Sequence, residues 1–81
     1  MDAAALRAVE EAVEALGSDD PALARAAMSG LAASGLAAVF DAVDMAATEL
    51  ETDGEIAPGT WNALADAVPP ELGGMVEASR S

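Results

Sequence analysis

Histidine, cysteine, tyrosine and lysine are absent from this chain of 81 residues. Without them the protein cannot build a Ser-His or Cys-His nucleophile pair, a Schiff base, or a zinc site of cysteines and histidines. The lack of cysteine also excludes disulfides and leaves no mark of secretion. Carboxylates, hydroxyls and three arginines remain for catalysis, and a carboxyl becomes a useful acid only in a pocket that raises its pKa. A short alanine-rich chain has little room for such a pocket, so we expect a non-catalytic protein with no cofactor.

Positive charge is also scarce, because 15 acidic residues stand against Arg7, Arg25 and Arg80 and give a net charge of -12. Such a surface repels nucleic acid and anionic membranes, so we expect the protein to bind neither. It suits a protein partner with a basic surface, a cation, or a nucleic-acid-binding protein that the chain inhibits by mimicking nucleic acid. The charge has a simpler use as well, which is to keep an alanine-rich chain in solution.

Long hydrophobic runs are missing too. The longest uncharged run covers residues 26–40, which is shorter than the ~20 residues that span a bilayer. The N-terminal segment carries an acid, Asp2, directly after Met1 and has no adequate apolar core, so it lacks the features of a signal peptide. We therefore expect a cytoplasmic protein. Because 22 of its hydrophobic residues are alanine, the core is small, and we expect a homodimer or an obligate complex to supply further burial.

The spacing of the larger apolar residues predicts an all-α fold with three to four short helices in one domain, residues 1–81. The helices are expected at about 3–16, 21–33, 35–51 and 58–68. A core stripe with spacings of three, four and three residues runs along the first helix: Leu6, Val9, Val13 and Leu16. Asp20 is placed to cap the second helix and Pro21 suits its first position. The first two helices are therefore predicted to form an antiparallel hairpin.

The pentapeptide SGLAA occurs twice in succession at residues 29–38. An unbroken helix over residues 21–51 would be roughly 46 Å long, whereas a compact domain of this size is about 30 Å across. We therefore predict a break between Ser29 and Gly35, inside the packed core. The small residues Ala26, Gly30 and Ser34 lie four positions apart and are expected to let another helix approach closely.

The third predicted helix carries two stripes at helical spacing. The inner, apolar stripe is expected in the core and contains Leu36, Phe40, Val43, Ala47 and Leu50. A second face contains Thr48 and three charged residues, all of them acidic. We predict that this face binds the partner through Asp41, Asp44 and Glu51. Trp61 in the fourth helix is either a core anchor or a further partner-binding residue, because tryptophan is enriched at binding hot spots.

Residues 49–60, ELETDGEIAPGT, resemble the calcium loop of EF-hand proteins. Acids at alternate positions and a glycine at the sixth place carry the resemblance, whereas Thr60 stands where that family has a bidentate glutamate. The resemblance implies an alternative function as a degenerate EF-hand-like, calcium-responsive module. Its ligands would come from Glu49, Glu51, Asp53 and the backbone carbonyl of Glu55.

Residues 6–31, LRAVEEAVEALGSDDPALARAAMSGL, resemble the helical-hairpin dimerisation elements that adjoin docking segments in modular polyketide synthases. The shared features are a seam helix, an Asp-Asp-Pro turn and a second helix of alanine and leucine. The resemblance implies a dimerisation or docking role and carries over no functional residue. The sequence as a whole favours a non-catalytic, acidic docking, dimerisation or adaptor module, with calcium response and nucleic-acid mimicry as the alternatives.

Overall fold

The computed structural model describes residues 2–80, and every regular element within them is helical. The elements in chain order are α1 (Ala3–Gly17), α2 (Pro21–Ala33), α3 (Ala37–Asp53), α4 (Pro58–Ala67), a 3-10 turn (Pro70–Leu72) and α5 (Gly73–Arg80). The predicted all-α class is confirmed, whereas the predicted number of three to four helices is too low. The longest dimension is 33 Å, so the fold has no room for an unbroken helix over residues 21–51.

Helices α1 and α2 form an antiparallel hairpin, and each begins at an aspartate cap. The Asp2 carboxylate accepts a hydrogen bond from the backbone N–H of Ala5 at 2.8 Å, and that of Asp20 accepts one from Leu23 at 3.1 Å. Such caps satisfy backbone donors that the first helical turn leaves without a partner. The turn between the helices reverses at Asp19, whose φ is +56°, a left-handed conformation that aspartate tolerates better than most residues.

The two SGLAA units are used differently. Gly30 of the first unit lies inside α2 against α1, where an added Cβ would lie 3.0 Å from the Cβ of Ala8. Gly35 of the second unit lies in the connection between α2 and α3 with φ at +73°, which residues with a Cβ rarely adopt. The predicted break is therefore present, but residues 32–35 are exposed, so the connection lies at the surface and not inside the packed core. Helix α3 begins at Ala37 instead of residue 35 because the left-handed turn at Gly35 belongs to the connection.

Helix α4 runs back along α3 after a short connection. Helix α3 ends at Asp53, two residues later than predicted, because Gly54 terminates it in a left-handed conformation with φ at +78°. The Glu49 carboxylate then holds the start of α4, accepting hydrogen bonds from the Ala57 N–H at 2.9 Å and the Thr60 hydroxyl at 2.6 Å. This pairing sets the register: residues that precede Glu49 on α3 face residues that follow Thr60 on α4.

The predicted core stripes lie largely inside the fold. Helix α1 packs against α2, α3 and α5. Its stripe is half-buried at Leu6, and its other members are at most 1% exposed, namely Val9, Val13 and Leu16. The apolar stripe of α1 is therefore buried within this chain. It does not form the exposed apolar surface that a homodimer would use.

The stripe of α3 is buried more deeply at its C-terminal end than at its start. Val43, Ala47 and Leu50 belong to the core, while Leu36 and Phe40 are only partly buried and pack against its edge. The difference arises because the start of α3 lies at the corner with α2, where fewer helices surround it.

The C-terminal segment forms a helix that the prediction did not include. After the 3-10 turn, α5 packs against both α1 and α4 through Val76, which is fully buried. Ser79 fits over Gly17 so closely that a Cβ on this glycine would lie 2.9 Å from the Ser79 Cβ. The Arg80 guanidinium donates to the side-chain carbonyl of Asn62 at 2.9 Å. These contacts join the C-terminal helix to the end of α1 and to the first half of α4.

Candidate functional site

Arg25 of α2 occupies much of the acidic face that we predicted to bind a partner. Its guanidinium donates to Asp44 at 3.1 Å, to the Thr48 hydroxyl at 3.1 Å, and to the two carboxylate oxygens of Glu51 at 2.7 and 2.9 Å. We call these four residues the Arg25 clamp. Asp44 and Glu51 are thus engaged within the chain, because the packing of α2 on α3 brings an arginine opposite them. Of the three predicted acids, Asp41 alone has no partner among the described residues.

The Arg25 clamp also changes the protonation of its members. Hydrogen bonds to Glu51 and Asp44 raise the pKa of the Arg25 guanidinium, and the bond from Arg25 lowers the pKa of the Glu51 carboxyl. A general acid requires the opposite shift of a carboxyl pKa. Because all of these side chains are solvent-exposed, the clamp orients α2 on α3 more than it stabilises the fold.

The carboxylates of the calcium alternative do not converge. Glu49 and Glu51 both lie in α3, where side chains two residues apart point to nearly opposite sides. Glu51 turns to Arg25, and Glu49 turns to the first turn of α4. Helix α3 continues to Asp53, through the positions that would have to wrap around a cation. Among residues 2–80, no group of three acidic side chains is arranged to hold a metal ion.

Trp61 lies inside the fold. Its side chain belongs to the core cluster, and the residue is only 9% exposed. This position corresponds to the core-anchor alternative, and it removes Trp61 from the predicted partner-binding surface.

A shallow apolar groove of about 480 Å³ runs between α3 and α4. The register set by Glu49 places Met45 beside the middle of α4 and Asp41 beside its C-terminal end. Four alanines, Met45 and two aspartates line the groove. We call this site the α3–α4 groove, lined by Ala38, Asp41, Ala42, Met45, Ala63, Asp66 and Ala67.

Met45 is one of two large hydrophobic residues that are exposed within residues 2–80. Its residue surface is 52% exposed, although methionine is normally a core residue. The alanines that line the groove bring no side chain that would fill the space beside it. A flexible thioether over small residues adapts to different apolar surfaces, as methionine does at many binding sites.

The charge around the α3–α4 groove is negative. Asp41 and Asp66 approach the same end of it, and neither forms an ion pair or hydrogen bond with another described residue. Asp66 lies in the last turn of α4, where the helix dipole disfavours an acid and favours a cation. No arginine lines the groove among residues 2–80. A basic side chain bound at this end would meet both carboxylates and the carbonyl end of α4.

Sequence reasoning found Asp41 and missed Met45 and Asp66. Met45 follows Asp41 by one helical turn, so the exposed face of α3 could have been extended to it from spacing alone. The contribution of α4 could not, because it depends on how the two helices pair. On the other side of Asp41, a smaller apolar groove of about 220 Å³ leads to the half-buried Leu36 and Phe40. The acid therefore stands between two apolar surfaces.

No family model, curated protein or solved structure matches this chain. Within residues 2–80, no helix has both the length and the apolar character that crossing a membrane requires.

Proposed function

We propose that this chain is a non-catalytic protein–protein interaction module that docks a basic, amphipathic segment of a partner protein in the α3–α4 groove. The observation that carries the proposal is that Met45 is exposed among alanines in this groove. The unpaired Asp41 and Asp66 lie at one end of the same groove. An apolar contact and a pair of negative charges on one surface select a ligand that combines apolar and basic side chains.

The energy of docking would come from the apolar part of the groove. Burying the exposed portion of the Met45 side chain contributes about 1 kcal/mol by area. The small residues that line the groove allow the partner backbone to approach closely, which increases the contact area of each side chain. The two aspartates contribute less to affinity, because exposed ion pairs are worth about 0–1 kcal/mol each. They orient the segment and speed its association.

Charge favours a basic partner over a second copy of this chain. Each copy carries a net charge of -12, so two copies repel one another most strongly at low ionic strength. The apolar seam of α1, which would have supported self-association, is buried within the chain. A basic segment gains from the same field that opposes the homodimer.

A labelled peptide tests this proposal directly. The probe is a helix-forming amphipathic peptide of alanine, leucine and lysine, and its binding is followed by fluorescence anisotropy. We expect Met45→Gln to weaken binding by roughly five- to tenfold, since the exposed apolar contact is lost. The double variant D41N/D66N should weaken it by roughly three- to tenfold at low salt.

The matched control separates docking from general attraction between opposite charges. The double variant D53N/E55Q removes the same two charges from exposed positions at the turn between α3 and α4. We expect it to change the affinity by less than about twofold. Equal weakening by the two double variants would show that the peptide senses net charge alone, and the proposal would then be wrong.

A further inference from the structure

A further apolar groove, of about 340 Å³, lies between α1 and α2 near their connecting turn. The close approach of Gly30 to Ala8 sets the register of this hairpin. Seven residues earlier on α2 and seven later on α1, Leu23 faces Ala15. Leu23 is 60% exposed, and three alanines line the groove beside it, namely Ala15, Ala26 and Ala27.

The rim of this groove is acidic along α1. Glu11 and Glu14 line it, and neither forms an ion pair with a described residue. Arg7 lies one turn before Glu11 and also has no ion pair within residues 2–80. The end of the groove near Leu23 therefore carries negative charge. The end toward the start of α1 is less negative, because Arg7 lies there. A docked segment would direct its basic residue toward Glu14.

We infer that this α1–α2 groove is a second docking surface, which binds a basic amphipathic segment independently of the α3–α4 groove. Charge complementarity selects this occupant: the groove offers an exposed leucine and two unpaired carboxylates on a chain of net charge -12. The packing of α2 on α3, with the Arg25 clamp across it, separates the two grooves. The chain can therefore hold two basic segments at once and act as an adaptor between them.

NMR of the 15N-labelled protein with the alanine–leucine–lysine peptide distinguishes the two grooves. We expect amide shifts at Ser18 and Ala26 for the α1–α2 groove and a separate set along the α3–α4 groove. Leu23→Gln should weaken binding at the first set by about tenfold and leave the second unchanged, while Met45→Gln should do the reverse. Each variant changes an exposed side chain and serves as the control for the other. A peptide with glutamate in place of lysine should shift neither set.

The possible results separate this inference from the proposed function. Shifts confined to the α3–α4 groove would overturn the second surface and leave the proposed function standing. Shifts confined to the α1–α2 groove would overturn the proposed function and leave the second docking surface standing. The absence of shifts in either groove would overturn the proposed function and the second docking surface together. If the amides of the α1–α2 groove move with protein concentration in the absence of peptide, its occupant is a second copy of the chain and the inference is wrong.

Discussion

The effect of Gly30→Ala on stability should depend on the residue at position 8. We expect a loss of stability when that residue is alanine and a gain when it is glycine. In the wild type, the new Cβ would lie 3.0 Å from the Ala8 Cβ, whereas carbon atoms prefer about 3.5–4.0 Å. The neighbouring helix must then move by a few tenths of an ångström, and overpacking of this kind costs about 1–3 kcal/mol. Alanine also gains about 1 kcal/mol over glycine inside a helix. The net expectation for Gly30→Ala is therefore a loss of about 0–2 kcal/mol.

The Ala8→Gly background removes the atom that the new methyl group would strike. There, Gly30→Ala should stabilise the protein by about 1 kcal/mol, because only the helix preference remains. The assay is urea unfolding of the four members of this double-mutant cycle, followed by circular dichroism, with an expected coupling of about 1–3 kcal/mol. If Gly30→Ala stabilises both backgrounds equally, the contact between α1 and α2 is not as close as described, and the reasoning is refuted.

Two further predictions concern side-chain bonds between helices. Arg25 lowers the pKa of Glu51 from its ordinary value of 4.5, so the clamp stabilises the fold above pH 4.5 and this contribution disappears as the pH falls through the lowered value. The difference in urea midpoint between the wild type and Arg25→Gln should therefore become smaller below pH 4.5. Arg7→Gln is the control, because Arg7 forms no ion pair with a described residue. Its difference in urea midpoint from the wild type should not become smaller in this pH range. Glu49→Ala should lower the free energy of unfolding by about 1–2 kcal/mol, because it removes the acceptor of the Ala57 N–H and leaves the buried hydroxyl of Thr60 without its acceptor. Glu55→Ala, at an exposed position in the following turn, is its control in the same unfolding assay and should change stability by less than about 0.5 kcal/mol.

Local signals predicted the first four helices closely. The cap at Asp20 and the break at SGLAASGLAA follow from chemistry within a few residues, and both lie where expected. The C-terminal helix was missed because Gly73 and Gly74 weaken any local helix signal. Its stability comes from burying Val76 against α1 and α4, which only the assembled fold provides.

The candidate site depended more on packing than on sequence pattern. The spacing of the acids on α3 was visible in the sequence, but their pairing with Arg25 was not. Arg25 lies 19 residues from Asp44 and 26 from Glu51 along the chain. Spacing shows that acids share a face and does not show which helix covers that face. For the same reason, the groove beside Met45 could not be predicted, because α4 provides its other wall.

The methionine methyl groups provide the most direct test of docking in the α3–α4 groove. The measurement is a methyl spectrum of the protein labelled with 13C-methyl methionine, recorded while the alanine–leucine–lysine peptide is added. Met45 is 52% exposed on the groove, whereas Met28 is 7% exposed in the core. We predict that the Met45 methyl resonance shifts in a saturable manner and that the Met28 resonance stays in place. A peptide that binds without moving the Met45 resonance would contradict the account.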